Sequence, residues 1–383
     1  MHLDTAITGK NRVKKMEFID SLADDSIGQN RPDYPAKEEV MSNIAEFAHA
    51  GRQAVVAASI VCREVQNNLD AVRTITKDDK SPVTVADYAA QAVVAMVLKQ
   101  HLGEFVMVAE ESSTFLRDED NAMILDAVVA AVKEVWDDAT PDAVLEAIDL
   151  GAGDTTHHKY WTLDPIDGTK GFLRNQQYAV ALGYIEDGTP TIGVMGCPNL
   201  AVDMSMPFDE RDSRGCLYYA IKGEGVWESR CDDGESESIR ITRLDHVESE
   251  EISVCGSVEK AHTNVSDMDR ILDWIEANGL GRAGEPARLD SQCKYAVVAR
   301  GQADAYLRLP TRKGYVERIW DHAAGCCIAC ESGAFVTDIF GHNLDFSHGR
   351  GLEKNKGIVC APPRIHGLML RAIKELGIGL DAD

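Results

Sequence analysis

The chain has 383 residues, 44% of them hydrophobic and 27% charged, and a formal net charge of −24. That length is more than one hydrophobic core usually serves and implies two domains, and the composition is that of an ordinary globular protein. The acidic balance opposes nonspecific binding to nucleic acid or to anionic membranes, and no apolar run reaches the ~20 residues of a bilayer span.

Residues 1–40 read as an acidic leader with neither the apolar core of a secretory signal nor the Arg- and Ser-rich character of a transit peptide. Ten cysteines without a signal then read as reduced thiols, so the expected protein is intracellular and soluble. Its compartment would be the cytoplasm, or a chloroplast or mitochondrion if a transit peptide has been removed. No obligate protein partner is evident.

From Ile44 to Val72, apolar residues recur every three or four positions (Phe47, Val55, Ala58, Cys62, Val65, Leu69), which predicts a long amphipathic helix. A second helix is expected from about Thr84, and "EFVMVAEESS" reads as a strand ending in acid. Residues 117–158 are acidic and mostly helical, and are expected to form a surface insertion near a substrate mouth. "YAVALGYIEDGTPTIGVMGCPN" and "GCLYYAIKGEGVWE" alternate apolar and small residues around Gly-containing turns, as antiparallel strands do. Beyond about residue 246, strand-like and helix-like segments alternate in the manner of an α/β domain. The expected division is 44–245 for an α+β domain and 246–383 for a smaller α/β domain.

Five acids stand out by position. Asp87 starts the second helix, Glu110 closes a strand beside Glu111, Asp164 and Asp167 bracket "DPIDGT", and Asp321 sits in "IWDHAAG". Each has an ordinary structural reading. Asp164 to Gly168 is good turn sequence, Thr84 with Asp87 fits a capping box, and Asp321 fits an N-cap. Yet all follow apolar stretches that should be buried, and several anions at the edge of a core need counter-ions. Oxygen-only donors without His or Cys suit Mg²⁺. Gly168 and Thr169 can open a turn whose amides hold a phosphate, and the Thr169 hydroxyl can orient a water. The chemistry these parts imply is metal-assisted hydrolysis of a phosphomonoester.

"DPIDGTKGF" after "EE", with "WDHAAG" about 150 residues later, resembles the lithium-sensitive, Mg²⁺-dependent phosphatase family that includes inositol monophosphatases. "KSPVTVADYAAQ", "CPNL", "LDSQCKYAVVARG" and "AYLRLP" are similar to its 3'(2'),5'-bisphosphate nucleotidase branch. The resemblance implies a layered fold, an antiparallel-sheet α+β domain followed by an α/β domain with the metal site between them. It implies that Asp87 and Thr169 serve the nucleophilic water, and that Glu110, Asp164, the Ile166 carbonyl, Asp167 and Asp321 hold two or three Mg²⁺. It implies that His262, Ser291, Lys294 and Arg308, with Gly168, Thr169 and Asp321, grip a small bisphosphate nucleotide. Lys294 and Arg308 make sense on their own terms, since an anionic substrate needs local cations on so acidic a chain.

The implied reaction removes the 3'-phosphate of 3'-phosphoadenosine 5'-phosphate or of 3'-phosphoadenylyl sulfate, in sulfur metabolism, with sensitivity to Li⁺. Inositol phosphate hydrolysis and redox-sensing nucleotide binding are the alternatives. Cys326, Cys327 and Cys330 read as helix packing, with Cys327 and Cys330 facing the core. Cys197 and Cys216, on neighbouring strand-like segments, could form a regulatory disulfide.

Overall fold

In the computed structural model the described residues are 37–69, 81–242, 250–258, 265–310, 312 and 314–379. Residues 1–36 of the acidic leader, the end of the first expected helix beyond residue 69, and His262 lie outside them, whereas residues 37–40 open the first helix.

The apolar spacing near the N-terminus becomes helix α1 (Lys37–Asn67), and α2 (Ser81–Leu102) follows. Strand β1 (Met107–Ala109) is short. Helices α3 (Ala122–Val132) and α4 (Pro141–Asp149) come next. Thr140 caps α4, its side chain accepting from the Ala143 N–H at 3.3 Å. These two helices pack against α2, and Val128, Val132, Val144 and Ile148 are fully buried. Residues 117–158 are therefore a buttress on the helical side of the molecule, and none of them lines the cavity described below. Their apolar stripes, hidden within an acidic composition, account for the departure from the expected mouth position.

Strands β2 (Lys159–Asp167), β3 (Ala179–Glu186), β4 (Thr189–Cys197), β5 (Cys216–Ile221), β6 (Gly225–Arg230) and β7 (Ile239–Ile241) join β1 in one seven-stranded sheet, in sequence order, with the short helix α5 (Thr169–Leu173) between β2 and β3. All neighbours are antiparallel except β1 and β2, which run parallel. From Tyr160 to Ile166 every residue of β2 is buried, because both faces of the sheet are covered. One face, with Trp161, Leu163, Leu182 and Val194, packs on α1 and α2. The other, with Tyr160, Ile185, Met195 and Tyr218, packs on elements from the second half of the chain.

Those elements follow β8 (Glu251–Ile252), β9 (Val254–Gly256), α6 (Val265–Ala277), β10 (Arg282–Ala283) and β11 (Ala287–Arg288). They are α7 (Cys293–Ala299), β12 (Ala305–Arg308), α8 (Ala323–Glu331), β13 (Phe335–Thr337), β14 (Ile358–Ala361) and α9 (Pro363–Glu375). A five-stranded sheet runs β11-β9-β12-β14-β13, with α7 and α8 filling the space between the two sheets and α6 and α9 on its outer face. The result is a five-layer α+β stack, and residues 44–383 form one compact unit. Helix α8 lies close to the first sheet because Gly183 and Gly193 offer no side chain. A Cβ on Gly193 would stand 2.5 Å from the Ala324 carbonyl oxygen. Among the described residues no helix is long and apolar enough to cross a membrane.

Candidate active site

Strand β2 carries the opening peptide of the site. Asp164 pairs with Ala181 on β3 and Asp167 with Ala179, so three steps on one strand oppose two on the other. In a regular strand, residues three apart point to opposite faces. The extra residue, a β-bulge, turns Asp167 to the same face as Asp164. The parallel pairing of Ala109 with Leu163 sets Glu110, the next residue, beside the same end of β2, and its N–H donates to the Leu163 carbonyl at 3.3 Å. Asp321 comes from the turn before α8. The cap position of that helix is His322, so Asp321 is free of the N-cap role its sequence would also suit. Thr84 and Asp87 likewise lie within α2 rather than at its cap.

Glu110, Asp164, Asp167 and Asp321 share one cavity of about 310 Å³. Glu110, Asp164, Ile166, Asp167 and Asp321 line one part of it. Gly168, Thr169, Ser291, Lys294 and Arg308 line the rest, with Lys170, Ser257, Asp290, Gln292, Tyr306 and Tyr315. Gly168 has φ of +90° and Ser291 φ of +69°, and a Cβ on Gly168 would meet the Ser291 Cβ at 2.9 Å. Two left-handed residues thus touch where the two halves of the chain meet. The join is completed by the Gln292 N–H, which donates to Asp167 Oδ2 at 2.7 Å. The Gln292 side chain bridges to the next acid, Nε2 donating to the Trp320 carbonyl at 2.8 Å and Oε1 accepting from the Gly325 N–H at 3.0 Å. An Arg174–Asp290 ion pair closes the same seam.

The cationic wall is set with equal care for partners. Lys294 is 4% exposed, and its Nζ donates to the Ser291 carbonyl at 2.7 Å while lying 5.3 Å from the Tyr306 ring centre. Burial draws its pKa down, against the pull of Asp167 and Asp290. Arg308 Nε donates to Glu317 Oε1 at 2.7 Å.

The acids repel one another. Burial, then Glu110, Asp167, Asp321 and Asp87, pushes Asp164 well above the carboxylate range. Burial and then Asp167 raise Asp321, while Arg308 opposes. Desolvation, then Glu111 and Asp167, takes Glu110 up to about 7 despite Arg318 and Arg350. Asp87 is raised by burial and then by Glu111 and Glu110. It is half-buried and close to those two acids, and it is not among the residues that line the cavity. The Oδ1 atom of Asp164 is buried without a hydrogen-bond partner. An excess of carboxylate charge, an orphaned carboxylate oxygen and an all-oxygen donor set fit hard divalent cations. Glu317, Asp321 and His322 also offer ligand atoms within 4.8 Å of one another, but Arg308 and His322 already meet the Glu317 charge and hold its pKa at about 2 against burial.

Cys197 and Cys216 face each other across β4 and β5 as buried free thiols. Burial pushes Cys216 up to about 12 and Cys197 well above the ordinary thiol range. Cys326 and Cys327 are core residues, whereas Cys330 is exposed. The expected pairing of Cys327 with Cys330 toward the core is thus corrected to Cys326 with Cys327, because α8 is covered on more than one side. Tyr306, Gln292 and Lys170 line the cavity in addition to the residues expected from the sequence, and all three lie within the motifs "AYLRLP", "LDSQCKYAVVARG" and "DPIDGTKGF". The sequence signal is proximity: Lys170 follows Thr169, Gln292 follows Ser291, and Tyr306 stands two residues before Arg308.

The matched family model is that of the inositol monophosphatase family, over residues 42–377. A 3'(2'),5'-bisphosphate nucleotidase of Emericella nidulans is 40% identical over 347 residues, covering 84% of this chain and 96% of that protein. The Oryza sativa protein of the same name is 39% identical, covering 86% and 94%. In fold, the chain is similar to CysQ from Bacteroides thetaiotaomicron, with a TM-score of 0.54 at 21% identity, covering 82% of this chain and 96% of that one. It is also similar to the inositol monophosphatase of Anabaena, with a TM-score of 0.53 at 17% identity, covering 88% and 97%. The chain belongs to the inositol monophosphatase family, whose members are generally Mg²⁺-dependent phosphatases.

Proposed function

We propose that this protein is a Mg²⁺-dependent 3'(2'),5'-bisphosphate nucleotidase that hydrolyses the 3'-phosphate of 3'-phosphoadenosine 5'-phosphate to leave AMP, and that of 3'-phosphoadenylyl sulfate to leave adenylyl sulfate. The observation that carries this reading is one cavity lined on one side by Glu110, Asp164, Asp167 and Asp321 and on the other by Lys294 and Arg308. The names of relatives 35–40% identical over most of the chain support the nucleotide as substrate.

Glu110, Asp164, the Ile166 carbonyl, Asp167 and Asp321 would hold two or three Mg²⁺. When bound, these ions supply the positive charge that neutralises phosphate oxygens and acidifies a water. The Thr169 hydroxyl oxygen would accept the proton of the attacking water while passing its own proton to the Asp87 carboxylate, the final proton acceptor. Lys294 Nζ and the Arg308 guanidinium donate to phosphate oxygens, and the Ser291 hydroxyl joins them. Gly168 keeps side-chain bulk away from the phosphate. His262, outside the described residues, is assigned to the nucleotide. On this reading residues 44–245 supply most metal ligands and residues 246–383 the nucleotide grip and Asp321. Li⁺ is expected to inhibit by competing for a Mg²⁺ position.

Phosphate release from 3'-phosphoadenosine 5'-phosphate, compared with that from inositol 1,4-bisphosphate under the same Mg²⁺, tests the reading. A kcat/KM at least about tenfold higher for the nucleotide supports it, a margin of ~1.4 kcal/mol. A wide margin for the inositol substrate overturns it.

A further inference from the structure

Arg308 is anchored in an unexpected way for a residue offered to an anion. Its Nε is taken by Glu317, and its Nη2 reaches the Tyr315 hydroxyl at 3.4 Å. Glu317 is 7% exposed and lies outside the cavity lining. Its second oxygen lies 3.3 Å from His322 Nε2, and His322 Nδ1 lies 2.9 Å from the Tyr295 hydroxyl. His322 and Tyr295 are both fully buried. The Glu317 backbone is pinned as well, its carbonyl accepting from the Leu352 N–H at 2.8 Å. A hydrogen-bonded chain therefore runs from the cavity wall into the core between the two sheets, and it passes through the neighbour of Asp321.

If Arg308 served only as a source of charge, Glu317 would be a liability, since its carboxylate cancels that charge on a chain already at −24. What a carboxylate at Nε provides is direction. A long, rotamer-rich side chain is held in one geometry by Glu317 at Nε and the Tyr315 hydroxyl at Nη2, and the remaining guanidinium N–H groups are presented to phosphate. We propose that Glu317 is a positioning residue that sets the Arg308 guanidinium for the substrate's phosphates and, through His322, ties it to the turn bearing Asp321. This rests on the nucleotidase reading above. It assigns Glu317 no contact with substrate.

The test is a double-mutant cycle with Glu317→Gln and Arg308→Met, read as KM and kcat for 3'-phosphoadenosine 5'-phosphate. Glu317→Gln keeps the size and removes the charge-assisted bond, so KM should rise about tenfold while kcat changes about threefold or less. In the Arg308→Met background the same substitution should add less than about twofold, because nothing remains to be positioned. Equal losses in both backgrounds, or an unchanged KM in the single variant, overturn the proposal. If Glu317→Gln fails to fold, Glu317→Asp is the substitute. It keeps the charge but shortens the reach, and a folded variant with wild-type KM also overturns it. Should the wild type not hydrolyse the bisphosphate nucleotide, the proposed function falls by itself. The cycle is then read on calorimetric binding of inorganic phosphate, which must show the same non-additivity for the positioning role to stand.

Discussion

A single extra residue in β2 decides what Asp164 and Asp167 can do. Without the bulge they would lie on opposite faces of the sheet, one in the helical core and one in the cavity. The residue types were legible in the sequence, because two acids amid Pro, Gly and apolar neighbours are unusual. The bulge was not, since it depends on which partner strand is paired and in what register. Ser291 is a similar case, because no local signal requires a left-handed serine there. Its contact with Gly168 gives a prediction at this scale. Gly168→Ala places a Cβ at φ +90° and 2.9 Å from the Ser291 Cβ. It should cost about 1–2 kcal/mol in urea unfolding and lower kcat as well. An unchanged midpoint would mean that the turn relaxes freely. Asp167→Asn, nearly isosteric, should instead leave the fold intact and reduce phosphate release at least about a hundredfold, or ~2.7 kcal/mol of transition-state stabilisation.

At the scale of elements, the helical and strand periods revealed most of the chain, but continuous burial in β2 to β4 concealed how the layers stack. A strand buried on both faces carries no alternation from which to read its neighbours. The parallel pairing of β1 with β2, which sets Glu110 beside Asp164, is likewise a matter of topology and not of propensity. Helix α8 shows what such contacts do for the site. It brings Asp321 to the cavity only by approaching the sheet at Gly183 and Gly193. Gly193→Val should force the helix outward, with a loss of about 1–3 kcal/mol in urea unfolding from overpacking. The Mg²⁺ concentration for half-maximal activity should also rise, because Asp321 moves with the helix. Wild-type Mg²⁺ dependence in a destabilised variant would separate α8 packing from the metal acids.

The whole molecule carries 63 acidic residues against 39 basic ones, and part of that imbalance is concentrated in one cavity. Such a site is a stability cost kept for function. Saturating Mg²⁺ should therefore stabilise the protein, by about 2.7 kcal/mol at a hundred times its Kd, visible as a higher melting temperature that a chelator reverses. Asp164→Asn removes one of the crowded charges. Without metal this variant should melt at or above the wild-type temperature, while the response to Mg²⁺ shrinks. A variant that melts lower and still responds fully to Mg²⁺ would contradict the repulsion among these acids. The net charge alone could not reveal this, because composition does not say where the acids gather.

The most direct measurement is anomalous diffraction from crystals soaked in Mn²⁺ as a stand-in for Mg²⁺. Peaks bounded by Glu110, Asp164, Asp167 and Asp321, and absent in Asp167→Asn crystals, are the expected result. A cavity without anomalous density at saturating Mn²⁺, in a protein that still releases phosphate from the bisphosphate nucleotide, would contradict the central claim that these side chains gather to hold catalytic cations.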